Sequence, residues 1–163
     1  MRLLLVFLLL FAGAPAKAER LPLIIVNKAT NELAFIQHGK IEAIYPVATG
    51  VATHLTPEGL FTVTVKAKNP YYRKKNIPGG APNNPLGTRW IGFDAYGTDG
   101  RTYGIHGTNN PQSIGKYITQ GCVRMHKKDV EALYEKVPIG TKVAIVRSNE
   151  PFAAMAKKYG ALQ

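Results

Sequence analysis

After an opening run of leucines and other apolar residues, the chain breaks into short apolar stretches separated by turn-forming residues. Leu23-Ile24-Ile25-Val26 is apolar and mostly β-branched, and Ala29-Thr30-Asn31-Glu32 reads as a turn. Leu33 to Ile36 forms a second apolar stretch, His38-Gly39-Lys40 a second turn, and Ile41 to Val47 an alternating third stretch that ends at Thr49-Gly50. This succession predicts an antiparallel meander. Beyond the turn Thr56-Pro57-Glu58-Gly59, Phe61-Thr62-Val63-Thr64-Val65 alternates strictly, as a half-buried strand does. Arg89 to Phe93, Thr102 to His106 and Thr141 to Val146 complete the expected strands. Helical spacing occurs from Lys128 to Val137, where Val130, Leu133, Tyr134 and Val137 share a face before Pro138-Ile139-Gly140 ends it. Pro111 to Ile118, with Asn110 as cap and Pro111 in the first turn, predicts a short helix. Glu150 to Gly160 predicts another in the tail. The fold class is therefore mainly β with short helices.

One segment does not fit the strand rhythm. Asn69 to Thr88 is rich in Pro, Gly and Asn and carries Tyr71, Tyr72 and three consecutive cations, Arg73-Lys74-Lys75. Loops of this length inside a compact domain usually serve as lids or binding walls. No internal repeat or second domain is evident in the 163 residues. The expected division is a leader at 1–18, one domain at 19–148 and a tail at 149–163.

The leader changes the picture of where the chain works. Arg2 precedes an apolar run from Leu3 to Ala14, and Ala16-Lys17-Ala18 is a small-x-small cleavage pattern. This is the layout of a secretory signal peptide. The run falls short of the ~20 residues a spanning helix needs, so stable membrane insertion is not expected. Removing 1–18 takes away Arg2 and Lys17 and no acid, which leaves 19 basic and 10 acidic residues, a net +9. A basic exported protein, in the periplasm or at the cell wall, seeks anionic surfaces such as wall polymers or lipid head groups. Nucleic acid belongs to another compartment.

There is one cysteine, Cys122, so no internal disulfide can form. In an exported chain, a lone Cys is either an apolar filler or a reactive thiol. Its neighbours favour the second. Gly121 permits a sharp turn or close substrate approach, backbone N–H groups beside Cys122 could stabilise an oxyanion, and Arg124 places a fixed cation two residues away that could bind a carboxylate. A catalytic thiol needs a base. Of the four histidines, His38 sits in a hairpin turn, His54 in a loop, and His126 at a helix start. His106 ends an apolar strand and enters the polar loop Gly107-Thr108-Asn109-Asn110, where sites are commonly built. Metal binding is unsupported, since HxH, HExxH and a second Cys are all missing.

These residues carry a resemblance. Tyr103-Gly104-Ile105-His106-Gly107-Thr108-Asn109, Gly121-Cys122-Val123-Arg124-Met125 and Asp129 are similar to the L,D-transpeptidase catalytic (YkuD-type) domain. The likeness extends over Val26-Asn27-Lys28, Asn31, Tyr45 to Gly50, Thr56 to Gly59, Asn83 to Trp90 and Val137 to Thr141. It implies a β-sandwich-like L,D-transpeptidase fold with Cys122 as nucleophile and His106 as general base and acid in a cleft under a lid. The backbone carbonyl of Gly107 would orient the imidazole. Arg124, Gly121, Asn109, Trp90 and Tyr103 would contact substrate. Where a basic residue often precedes the Gly-Cys pair, this chain has Gln120.

The substrate class so implied is the peptidoglycan stem peptide. Cys122 would attack the carbonyl of the third residue and release the terminal D-alanine. A neighbouring stem amine would resolve the thioester into a 3→3 crosslink. No metal, nucleotide or other cofactor is called for, β-lactams such as carbapenems are expected inhibitors, and a monomer is expected. Two other readings remain: an L,D-carboxypeptidase with water as acceptor, and a non-catalytic wall-binding protein.

Overall fold

The computed structural model describes residues 21–163, so the expected leader at 1–18 lies outside the described residues. Nine strands and two helices follow in the order β1 (Leu23–Asn27), β2 (Glu32–Gln37), β3 (Lys40–Gly50), β4 (Gly59–Lys68), β5 (Arg89–Phe93), β6 (Tyr103–His106), β7 (Tyr117–Thr119), β8 (Val123–Met125), α1 (Lys127–Lys136), β9 (Lys142–Val146) and α2 (Phe152–Lys158). The mainly β class is as read from the sequence.

The first three strands form the expected meander, with antiparallel β1–β2 and β2–β3 pairs. The strand order runs β2-β1-β9-β4-β5-β6-β8-β3, and the β2–β3 pair closes it into a ring, with β7 attached to β3. Two long strands make the closure possible. The first half of β3 pairs with β2, and then Val47 and Ala48 turn to β8. Likewise β4 pairs with β9 through Thr62 and with β5 from Val63 onward, with a register shift between Val63 and Val65. Strands that switch partners at a bulge are how two facing sheets become a continuous barrel-like sandwich.

Both faces of the β1 region are covered, which explains why β1 reads as an unbroken apolar run. Ile24 and Val26 enter the main core with Leu33, Phe35, Ile91, Phe93, Ile105, Val123 and Met125. Leu23 and Ile25 point the other way, onto Phe152, Met155 and Ala156 of α2. The main core also takes Val130, Leu133 and Val137, the apolar face foreseen for α1. That helix is tied to the sheet by Lys66, whose Nζ donates to the Tyr134 carbonyl at 2.6 Å.

Two elements depart from the sequence reading. The helix expected over Pro111–Ile118 is only a 3₁₀ turn at Pro111–Ser113, followed by β7. Gly115 at φ +86° turns the chain, and its N–H is taken by the Val47 carbonyl, so helical bonding cannot continue. The strand β8 was not foreseen, because three residues between a Gly-Cys turn and a helix carry too little period to read. It is nevertheless the central element of the site.

Candidate active site

The site is a product of strand register. In the parallel β6–β8 pair, Ile105 lies opposite Val123 and His106 opposite Arg124. In the antiparallel β5–β6 pair, Trp90 lies opposite His106 and Gly92 opposite Gly104. Side chains alternate along a strand, so Val123 and Ile105 face the core while Cys122, Arg124 and His106 face outward together. All three line one cleft of about 400 Å³, walled by the segment Pro70–Lys74 and by Pro85, Leu86 and Trp90.

Glycines make room for the imidazole's support. A Cβ on Gly104 would lie 2.6 to 2.9 Å from three ring atoms of Trp90, and one on Gly92 would lie 2.6 Å from its Nε1. The indole occupies the space these side chains leave, donates from Nε1 to the Gly100 carbonyl at 2.8 Å, and stacks on the His106 ring with centroids 5.5 Å apart and planes 16° from parallel. Sequence reading passed over Gly92 and Gly104, although glycine inside a strand is a recognised sign of close approach.

His106 is buried, and its Nδ1 lies 2.6 Å from the Gly107 carbonyl. A carbonyl only accepts, so Nδ1 carries the proton, and a neutral ring then holds its lone pair at Nε2. Burial pushes the His106 pKa down to about 4, with Arg124 adding to the fall and the Gly107 and Leu86 carbonyls opposing it. The ring is therefore neutral at pH 7.

Cys122 is half-buried, and its Sγ donates to the Thr102 carbonyl at 3.6 Å, a contact that also requires the protonated form. Burial pushes the thiol pKa up, while a hydrogen bond from the Gly104 backbone and the charges of Lys74 and Arg124 pull it back. The resting pair is thus thiol and imidazole, both neutral.

The turn before the thiol is braced. Gly121 stands at φ +131°, its would-be Cβ 2.6 Å from the Leu55 carbonyl and 3.2 Å from the Tyr103 ring. Its N–H donates to Thr119 Oγ1 at 3.2 Å, and the same hydroxyl donates to the Cys122 carbonyl at 2.6 Å. This leaves the Cys122 N–H as the donor beside the sulfur that no hydrogen bond among the described residues engages. The Leu55 loop is in turn held by Lys28, a buried cation whose Nζ donates to the Thr53 and Thr56 carbonyls and to Glu58.

Of the residues singled out from the sequence, Cys122, His106, Arg124 and Trp90 meet in the cleft, with Gly107 directly behind. Tyr103 supports from below, its ring against Gly121 and Phe93. Asn109 is turned elsewhere: it is exposed and donates to the Asn83 carbonyl at 3.2 Å, tying two loops together. Arg124 makes no ion pair among the described residues, and its Nε is buried without a hydrogen-bond partner. His38 and His54 are exposed, and neither lines the cleft. No group of three or more His, Cys, Asp or Glu among the described residues could hold a metal.

Residues 22–145 match the family model of the L,D-transpeptidase catalytic domain. The chain is 60% identical over 141 residues to the putative L,D-transpeptidase YqjB of Bacillus subtilis, covering 86% of this chain and 80% of that protein. It is 38% identical to the putative L,D-transpeptidase YkuD of the same organism, over 76% of this chain and 65% of that one. Among solved structures, an L,D-transpeptidase from Stackebrandtia nassauensis superposes with a TM-score of 0.59 at 24% identity, over 83% of this chain and 60% of that one. L,D-transpeptidase 3 of Mycobacterium tuberculosis, solved with a faropenem-derived adduct, superposes with a TM-score of 0.62 at 16% identity, over 77% and 60%. The solved chains are thus longer, and this one spans about three fifths of each. The chain belongs to the L,D-transpeptidase family.

Proposed function

We propose that this chain is a cysteine acyltransferase of peptidoglycan stem peptides, exported to the cell wall, that forms 3→3 crosslinks through a thioester on Cys122. The observation that carries the reading is the bond from His106 Nδ1 to the Gly107 carbonyl, in a cleft that also holds the Cys122 thiol. It fixes the tautomer that a general base requires, without an acid side chain.

The chemistry follows from the two neutral groups. The thiol proton passes to His106 Nε2 as Sγ attacks the carbonyl of the third stem residue. The carbonyl oxygen takes the charge and is met by the Cys122 N–H. The tetrahedral centre collapses with loss of the terminal D-alanine, whose amine receives the proton from Nε2. A side-chain amine of a second stem then attacks the thioester, gives its proton to Nε2, and Sγ leaves as the thiol is restored. This is ping-pong transfer with every proton accounted for at one nitrogen. Trp90 and Gly107 hold the ring through both halves. The same thiol would open β-lactams, and relatives have been solved with imipenem and with an avibactam carbamoyl group.

The test is incubation of peptidoglycan with the mature enzyme and with Cys122→Ala, followed by digestion and mass analysis. New 3→3 dimers are expected with the wild type only. Trimmed tripeptides without dimers would assign water as acceptor, an L,D-carboxypeptidase. Equal products from both proteins would remove Cys122 from the reaction.

A further inference from the structure

The cleft wall holds cations that the chemistry above does not use. Arg73 and Lys74 form an exposed 3₁₀ turn with Lys75, and both line the cleft. Arg101 and Arg124 line it too, and among the described residues no Asp or Glu does. Arg101 is matched by Asp99 at 2.9 Å, across an exposed pair. Arg73 and Lys74 make no ion pair among the described residues.

The turn that carries these two cations is held in place. The Tyr72 and Ile77 backbones exchange hydrogen bonds at 3.0 and 3.1 Å and close the turn, with Asn76 in the left-handed region at φ +54°. The base of the segment is gripped by the buried Asn84, whose Nδ2 donates to the Pro70 and Pro78 carbonyls and whose Oδ1 accepts from the Leu86 N–H. Like charges gathered on a built wall repel one another unless an anion joins them. The charge on Lys74 also bears directly on the Cys122 thiol, so an anion it bound would belong to the molecule under attack.

We propose that Arg73 and Lys74 form a carboxylate-binding wall for the acyl donor, so that the enzyme selects donor stems with a free carboxylate beside the scissile bond over amidated ones. This rests on the acyl-transfer reading above. Two donor carboxylates have the right chemistry: the terminal carboxylate of the leaving residue and the side-chain carboxylate of the diamino acid. Arg124 lies beneath the reacting atoms, whereas the Arg73 and Lys74 side chains come from a different segment and recognise without taking part in bond making.

Three synthetic tetrapeptide donors decide it: both carboxylates free, the terminal one amidated, and the side-chain one amidated. D-alanine or D-alaninamide release is followed with wild type, Lys74→Gln and Arg73→Gln/Lys74→Gln. With the fully acidic donor, the expected result is a KM raised about three- to fivefold per charge removed, with kcat changed less. One of the amidated donors should show the same penalty with wild type and no further penalty with the double variant, which identifies the carboxylate. Raised salt should shrink the wild-type preference. Lys74→Arg should restore the acidic-donor KM. If wild type and double variant show equal KM for all three donors, the wall does not read carboxylates and the inference fails alone. Absence of turnover by wild type with every donor would overturn the acyl-transfer reading and this inference with it. Circular dichroism and unfolding of each variant guard against a folding defect; donor binding to Cys122→Ala, with and without the Arg73→Gln and Lys74→Gln substitutions, gives the same comparison without chemistry.

Discussion

The burial of His106 makes a prediction about stability as well as catalysis. A histidine whose folded-state pKa is depressed binds fewer protons in the native state than in the unfolded chain between the two values. Its neutral form is compatible with the fold at pH 7, so its contribution is fully present above the unfolded pKa of 6.5 and is lost as pH falls toward about 4. The difference between 6.5 and about 4 corresponds to about 3 kcal/mol. Roughly half of that should be gone by pH 5.5, and nearly all by pH 4. His106→Gln removes the titration while leaving an amide able to donate to the Gly107 carbonyl. Urea unfolding at pH 7, 5.5 and 4 measures both proteins, and their difference cancels the carboxylates they share. The sequence contains one tryptophan, Trp90, which is stacked on the ring in question and reports both unfolding and protonation. The wild type should lose about 3 kcal/mol relative to the variant on going from pH 7 to 4. Native Trp90 fluorescence should titrate near pH 4. A stability difference that stays flat over this range, or a Trp90 titration at pH 6.5, would refute the argument that burial governs His106.

Other consequences follow from the same geometry. Because burial raises the Cys122 thiol pKa, iodoacetamide should alkylate the resting enzyme more slowly at pH 7 than it does an unstructured cysteine peptide, with the rate still climbing above pH 9; fast, pH-independent alkylation down to pH 6 would instead indicate a preformed thiolate–imidazolium pair. Gly104→Ala drives a methyl into the Trp90 ring and should cost about 1–3 kcal/mol, shift the Trp90 emission and lower kcat, all readable by urea unfolding and turnover on one preparation. Lys28→Met strands the Thr53 and Thr56 carbonyls and should cost about 1–3 kcal/mol, with a fall in kcat through the loosened Leu55 carbonyl against Gly121; unchanged kcat with reduced stability would confine Lys28 to the fold.

Much of the fold was legible because its signals are local. Alternation marked β3 and β4, short apolar runs marked β1 and β2, and a 3.6-residue period marked α1. The ring closure was not legible, since it depends on β3 and β4 each changing partners midway, and on a parallel β1–β9 pair between strands more than a hundred residues apart. Nothing in a strand's own sequence names its distant partner. The candidate site divides in the same way. Cys122 and His106 were legible from residue type and loop chemistry, and the Gly107 carbonyl through family resemblance. Asn109, expected at substrate, ties two loops through the Asn83 carbonyl, and a polar loop residue reads the same in either role. The Trp90 slot needed the β5–β6 register, which sets Gly92 opposite Gly104, two residues that look like interruptions when read singly.

Under the proposed mechanism, that register bears on how a neutral pair becomes reactive without being charged at rest. The parallel β6–β8 pairing sets Arg124 opposite His106 and two residues beyond Cys122, so one guanidinium acts on both groups. It lowers the imidazole's pKa and lowers the thiol's, which favours thiolate and disfavours imidazolium. Since proton transfer from Sγ to Nε2 makes both ions at once, these two effects oppose each other. The Gly104 backbone hydrogen bond breaks the balance, joining Arg124 on the side of the thiolate. Opposite them, the Gly107 and Leu86 carbonyls favour the imidazolium. The site thus presents positive potential to the sulfur and negative potential to the ring, aligned with the dipole that transfer creates. Such a field lowers the barrier to transfer without holding a charged pair at rest, where burial would make it costly.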